Sequence, residues 1–213
     1  MKYFLAVILC LFFVSPALAA PMRVVVLGDS LTAGYGLPPN EAFPAQLQNA
    51  LRAKGVDVAV ENAGVSGDTS AGGLARLNGA IAGPVKPSLV IIELGANDML
   101  RRMSAADMKA NLHKILTSLK QQQIPAMLTG VMIPVFIPGF SYGAYDDAFE
   151  ELADEFDVPF YESFLDGITL KPEYNLEDRM HPNAAGVKVI VENIQDDVRD
   201  ALIPPTGFRK WFR

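Results

Sequence analysis

Arg23-Val24-Val25-Val26-Leu27-Gly28-Asp29-Ser30 decides how this chain is read. A β-branched, apolar run that stops at a glycine is a short buried strand, here over 23–27. A strand apolar on both faces belongs to a parallel sheet covered by helices. The period then changes. Phe43, Leu47, Ala50 and Leu51 recur at helical spacing, which predicts a helix over 41–54 closed by Gly55 as C-terminal cap.

The alternation continues along the chain. Strands are expected over 56–60, 89–94, 126–131 and 158–161, and helices over 71–82, 104–123, 145–156 and 183–202. Ser104 is expected to cap the third of these five helices, with Met108, Leu112, Ile115, Leu116 and Leu119 on its inner face. Strand and helix in turn, with no repeat or linker, describe one α/β domain of three layers, α/β/α. In such a sheet the ligand site lies beyond the carboxyl ends of the strands.

The first nineteen residues stand apart. Lys2 precedes an apolar run over 3–14, and Pro16-Ala17-Leu18-Ala19 closes it with small residues. The run is shorter than the roughly 20 residues a bilayer span needs. A signal peptide cleaved after Ala19 fits better, making the protein periplasmic or secreted; a buried helix is the alternative. Cys10 is the only cysteine and lies inside that leader, so residues 20–203 can use neither a disulfide nor a thiol. Two histidines are too few for a His-rich metal site, and a net charge of −6 disfavours nucleic acid. No cofactor is expected.

Four segments carry the chemistry: Gly28-Asp29-Ser30-Leu31, Asn62-Ala63-Gly64-Val65-Ser66-Gly67, Gly95-Ala96-Asn97-Asp98 and Asp178-Arg179-Met180-His181-Pro182. Ser30, Gly67 and Asn97 follow the first three strands, and His181 precedes the last helix, so the topology can bring all four together. Asp178, three residues before His181, can accept the imidazole Nδ1–H and hold Nε2 towards a serine. Gly67 offers an unobstructed N–H, and Asn97 an amide, to a developing oxyanion. Each also has an ordinary reading: Ser30 as a helix cap, Gly67 as a loop residue, Asn97 as an Asx turn with Asp98 capping the next helix, and His181 as a helix-entry residue beside Pro182. His113, among Lys109, Asn111 and Lys114, reads as a surface residue.

With Gly28-Asp29-Ser30-Leu31-Thr32-Ala33-Gly34-Tyr35-Gly36, Gly67-Asp68-Thr69-Ser70, Gly73-Leu74-Ala75-Arg76-Leu77, Glu93-Leu94-Gly95-Ala96-Asn97-Asp98 and His181-Pro182-Asn183, the chain resembles the SGNH (GDSL-type) hydrolases. The likeness is to their secreted bacterial thioesterase I/arylesterase/lysophospholipase branch and covers about residues 22–202. It implies a flavodoxin-like sheet of five parallel strands. It also implies Ser30 as nucleophile, His181 as general base and acid, and Asp178 as its orienter. The oxyanion donors it implies are the N–H groups of Ser30 and Gly67 and the Asn97 side chain. Small esters, acyl thioesters and lysolipids are the substrates it suggests.

One stretch departs from the family pattern, Ile133-Pro134-Val135-Phe136-Ile137-Pro138-Gly139-Phe140-Ser141-Tyr142-Gly143, which is longer and more apolar. In the family this region lines the acyl pocket, so the resemblance implies a pocket lined by Ile133, Phe136, Phe140 and Tyr142 with Met99 and Leu100; a lid, or a loop simply packed against Met99 and Leu100, are the alternatives. The Arg179-Met180 pair is also unusual. Two rival functions remain: a carbohydrate O-acetylesterase, which the apolar loop disfavours, and a non-catalytic α/β binding protein in which Asp29 and Ser30 shape an anion-binding turn. A phosphoacceptor role for Asp29 is set aside because export removes the chain from phosphodonors and no partnering acidic cluster accompanies it. Residues 204–213, basic and aromatic, are either a frayed end or a weak contact for an anionic membrane surface.

Overall fold

The computed structural model describes residues 20–131 and 143–203. The leader, the departing loop through Tyr142 and the C-terminal tail therefore lie outside the described residues, and with them Ile133, Phe136, Phe140 and Tyr142.

Five strands, β1 (Met22–Gly28), β2 (Val58–Gly64), β3 (Leu89–Glu93), β4 (Ala126–Thr129) and β5 (Phe160–Tyr161), form one parallel sheet in the order β2-β1-β3-β4-β5. The chain runs outward from β1 to β2, then crosses back to β3 on the other side of β1. That reversal makes the β1/β3 boundary the switch point, where a crevice opens at the carboxyl ends.

Alternation along the strands separates two cores. Val25, Leu27, Val90 and Ile92 face one layer, formed by α3 (Ser70–Ile81), α5 (Ala105–Gln121) and α6 (Gly143–Phe156). Val24, Val26, Leu89 and Ile91 face the other, formed by α2 (Phe43–Ala53) and α7 (Ala184–Leu202). All of Val24–Leu27 are fully buried, as expected of a central strand covered on both faces. Phe43 meets Phe164 edge-on, with centroids 4.8 Å apart, at the heart of the second core.

The helices begin where the capping residues say. The Ser104 side chain accepts from the Asp107 N–H, and that of Asn183 from the Gly186 N–H, each satisfying a first-turn donor. Among the α-helices two have no predicted range: α1 (Ser30–Ala33) and α4 (Ala96–Leu100), single turns that follow closely on β1 and β3. They are too short to show a period. The second strand runs to Gly64 rather than ending near residue 60, and it is not apolar on both faces, since Glu61 and Asn62 are exposed. At a sheet edge one side meets water, so polar residues that resemble a loop remain in the ladder, with Asn62 opposite Val26.

Gly28 ends β1 under tight constraint. A Cβ there would lie 2.2 Å from Thr32 Oγ1 and 2.7 Å from Glu93 Oε2. Gly28→Ala is expected to cost about 1–3 kcal/mol by overpacking, measurable as a lower denaturation midpoint. An unchanged midpoint would show that Thr32 and Glu93 can move aside.

Candidate active site

Ser30 is the first residue of α1, but the cap of that helix is Asp29, whose side chain accepts from the Leu31 N–H at 3.0 Å. The Ser30 hydroxyl is thereby left for another partner. His181 Nε2 lies 2.9 Å from Ser30 Oγ, and His181 Nδ1 lies 2.6 Å from Asp178 Oδ2. With Nδ1–H donated to the carboxylate, Nε2 is the acceptor for the serine hydroxyl.

The loop carrying His181 is held independently of the ring. Asp178 Oδ1 accepts from the N–H groups of Met180 (2.9 Å) and His181 (3.0 Å). The Leu176 N–H donates to the His181 carbonyl at 2.8 Å, and Asn183 N–H to that of Tyr174 at 2.9 Å. Tyr35 covers the imidazole, ring centroids 4.4 Å apart. Partial burial pushes the Asp178 carboxyl up, yet the two backbone donors and the imidazole outweigh it and hold the group below the usual carboxylate range. It is an anion whenever the ring needs one.

Gly67 lies in the left-handed region, φ 82°, in the turn after β2, and its carbonyl accepts from Arg101 Nη2 at 2.6 Å. Asn97, in the first turn of α4, donates through Nδ2 to Asp29 Oδ2 at 2.8 Å. Its ordinary reading as an Asx-turn residue does not describe that contact. Asp98 is no cap either: it is fully buried and accepts from Ser70 Oγ (2.5 Å) and the Ser70 N–H (2.8 Å), tying α4 to the start of α3.

Arg76 joins three segments at once. Its guanidinium donates to Asp68 Oδ2 (2.5 Å), to the Ala63 carbonyl (2.5 Å) and to the Gly28 carbonyl (2.8 Å). The ends of β1 and β2 and the Gly67 turn thus share one cation. A sequence reading that stops at candidate reacting groups misses Arg76, Ser70 and Asp98, although each falls within a quoted motif.

A cavity of about 340 Å³ opens over Ser30, lined by Asn97, His181 and Gly67 and by the apolar side chains of Leu31, Leu100, Leu165 and Met180. Leu100 is where it was expected. Met99 is not: it is 1 % exposed and packed in the core. Adjacent helical residues point about 100° apart, so only one of the pair can face the cavity. Met180, from the unusual Arg179-Met180 pair, lines the cavity instead, as does Leu165. His113 is a half-exposed residue remote from this site, 3.0 Å from Glu155.

Asp29 does have an acidic neighbour, which sequence separation concealed. Glu93, at the end of β3, is fully buried; its Oε2 accepts from Thr32 Oγ1 at 2.9 Å and lies 3.4 Å from the Asp29 N–H. Burial, reinforced by the nearby Asp29 charge, raises the Glu93 carboxyl well above the ordinary range.

A hydrogen-bonded line of Ser30, His181 and Asp178 thus lies at the switch point of a five-stranded parallel sheet. The family model for GDSL-like lipase/acylhydrolases matches residues 26–189. An arylesterase from Vibrio mimicus is 35% identical over 191 residues, covering 89% of this chain and 95% of that one. Thioesterase 1/protease 1/lysophospholipase L1 of Escherichia coli is 38% identical over 170 residues, covering 78% and 77% respectively. The crystal structure of AlinE4, an SGNH-hydrolase family esterase, superposes with a TM-score of 0.72 at 38% identity, over 89% of this chain and 100% of the other. The chain belongs to the GDSL-like lipase/acylhydrolase family and is a hydrolase of ester bonds.

Because the folded state holds the Glu93 proton to higher pH than the unfolded chain, folding stability should fall as pH rises above the ordinary carboxylate range. Glu93→Gln removes that proton linkage. Thermal midpoints measured upward from the ordinary carboxylate range should decline less steeply for Glu93→Gln than for wild type; equal slopes would place the titration elsewhere.

Proposed function

We propose that this protein is a serine esterase acting on carboxylic esters and acyl thioesters through an acyl-enzyme, with Ser30 as nucleophile. The observation carrying this reading is the unbroken line from Ser30 Oγ to His181 Nε2 (2.9 Å) and from His181 Nδ1 to Asp178 (2.6 Å). Ser30 Oγ attacks the acyl carbonyl as its proton passes to Nε2, and Asp178 stabilises the imidazolium so formed. The tetrahedral oxygen accepts from the N–H groups of Ser30 and Gly67 and from the Asn97 amide. The imidazolium then protonates the departing alkoxide or thiolate. Water repeats the sequence on the acyl-enzyme, and His181 again takes and returns the proton. The residues supply nucleophile, base and electrophilic donors without a cofactor.

The apolar wall of Leu31, Leu100, Leu165 and Met180 suits an acyl chain better than an acetylated sugar. Arylesterase and lysophospholipase substrates fit the same wall, and the names of the relatives support that range. We read residues 1–19 as a cleaved export leader, which assigns residues 20–203 to the periplasm or exterior, with the 204–213 tail as a weak membrane-surface contact. No helix among the described residues is long and apolar enough to cross a membrane.

Wild type should be labelled by a fluorophosphonate and turn over aryl esters; Ser30→Ala should lose both while keeping its melting temperature. Near-wild-type turnover in Ser30→Ala would refute the nucleophile, and an unlabelled wild type would favour a binding protein. Turnover should also depend on pH. Nε2 must be unprotonated to accept the serine proton, while Asp178, held below the usual carboxylate range, stays charged. Activity should therefore fall on acidification, and a pH-independent profile would remove His181 as base.

A further inference from the structure

The scheme above makes no use of the buried carboxyl directly beneath the nucleophile turn. Asp29 is fully buried, a costly location for a carboxylate, and helix capping of a single turn needs only one of its two oxygens. Oδ1 accepts from the Leu31 N–H (3.0 Å), while Oδ2 accepts from Asn97 Nδ2 (2.8 Å). An amide nitrogen carries two N–H groups. Engaging one of them fixes the plane of the amide, and the second is then directed by geometry alone. Asn97 and Ser30 line the same cavity, so that direction decides whether the amide can meet an oxygen developing at the Ser30 adduct.

We propose that Asp29 is a positioning residue of the oxyanion site, its Oδ2 anchoring the Asn97 amide. The proposal rests on the reading of Asn97 as an oxyanion donor.

The surroundings of Asp29 sort the two acids. Among the described residues Glu93 Oε1 has no hydrogen-bond partner, which suits a neutral carboxyl rather than an anion. Burial pushes the Asp29 carboxyl up to about 6, against the opposing pull of the Leu31 N–H, the Asn97 amide, the His181 charge and a hydrogen bond with Glu93. At neutral pH the single proton of this pair therefore stays on Glu93, and a charged Asp29 is the stronger acceptor for Asn97. The Arg76 guanidinium, from α3, donates to the Gly28 carbonyl at 2.8 Å.

A double-mutant cycle on the full-length protein tests this. Asn97→Ala should lower kcat by about 10²–10³. Asp29→Ala should lower kcat by at least about tenfold with KM changed less than about threefold, since a transition-state contact is lost. In the Asn97→Ala background the same Asp29→Ala change should cost less than about threefold, because its target is gone. Asp29→Asn keeps the shape and the Leu31 contact, and carried through the same cycle it replaces an alanine variant that fails to fold. Equal losses in both backgrounds would overturn the proposal, pointing to a general structural role or to direct action on His181; so would an unchanged kcat in Asp29→Asn. If Asn97→Ala itself costs under threefold, Asn97 is no oxyanion donor and the proposal falls with it. That outcome is distinguishable from failure at Asp29 alone.

Discussion

The pairing of β1 with β3 governs everything built above it. Their parallel register sets Gly28 opposite Glu93 at the carboxyl end of the sheet. The residue after Gly28 is the cap of α1, and the next is Ser30; Glu93 precedes Gly95 and the turn of α4 that carries Asn97. A side chain at position 28 would collide with Thr32 and with Glu93. The close approach of these two strand ends brings a hydroxyl and an amide over one crevice.

Two carboxylates serve that crevice in opposite environments. Asp178 is partly exposed and accepts from two backbone N–H groups and the imidazole, so it is held as an anion below the usual carboxylate range. Asp29 is removed from water and lies against a second acid, so its charge is held less easily and is confined to one direction. Environments that push similar groups apart are how one fold assigns different duties to chemically identical side chains.

The scaffold around them is stiffened by polar contacts rather than by core packing alone. The Arg76 guanidinium binds the ends of β1 and β2 and the Gly67 turn, and the Asp98–Ser70 contacts, extended by Asn111, hold α4 against α3. Loops at a sheet edge would otherwise be the least ordered part of a domain. Here the segments that present the amide and the glycine N–H are cross-linked through buried or half-buried charges, whose hydrogen bonds are strong because water competes little for them.

Period and punctuation in the chain determined the α/β class, the long helices and the central strands, because burial on one or both faces imprints a repeat on the residues themselves. They also marked candidates for the site: Ser30, Gly67 and Asn97, which follow strand ends, and the Asp178–His181 pair just before the last helix. Single-turn elements such as α1 and α4 carry no repeat, and a polar edge strand looks like a loop, so those only the fold revealed. It was likewise the fold that turned Met99 inward and Met180 towards the cavity, and that brought Asp29 and Glu93 together. A contact across 64 residues leaves no local trace, because what joins the two acids is strand order and register rather than any spacing along the chain.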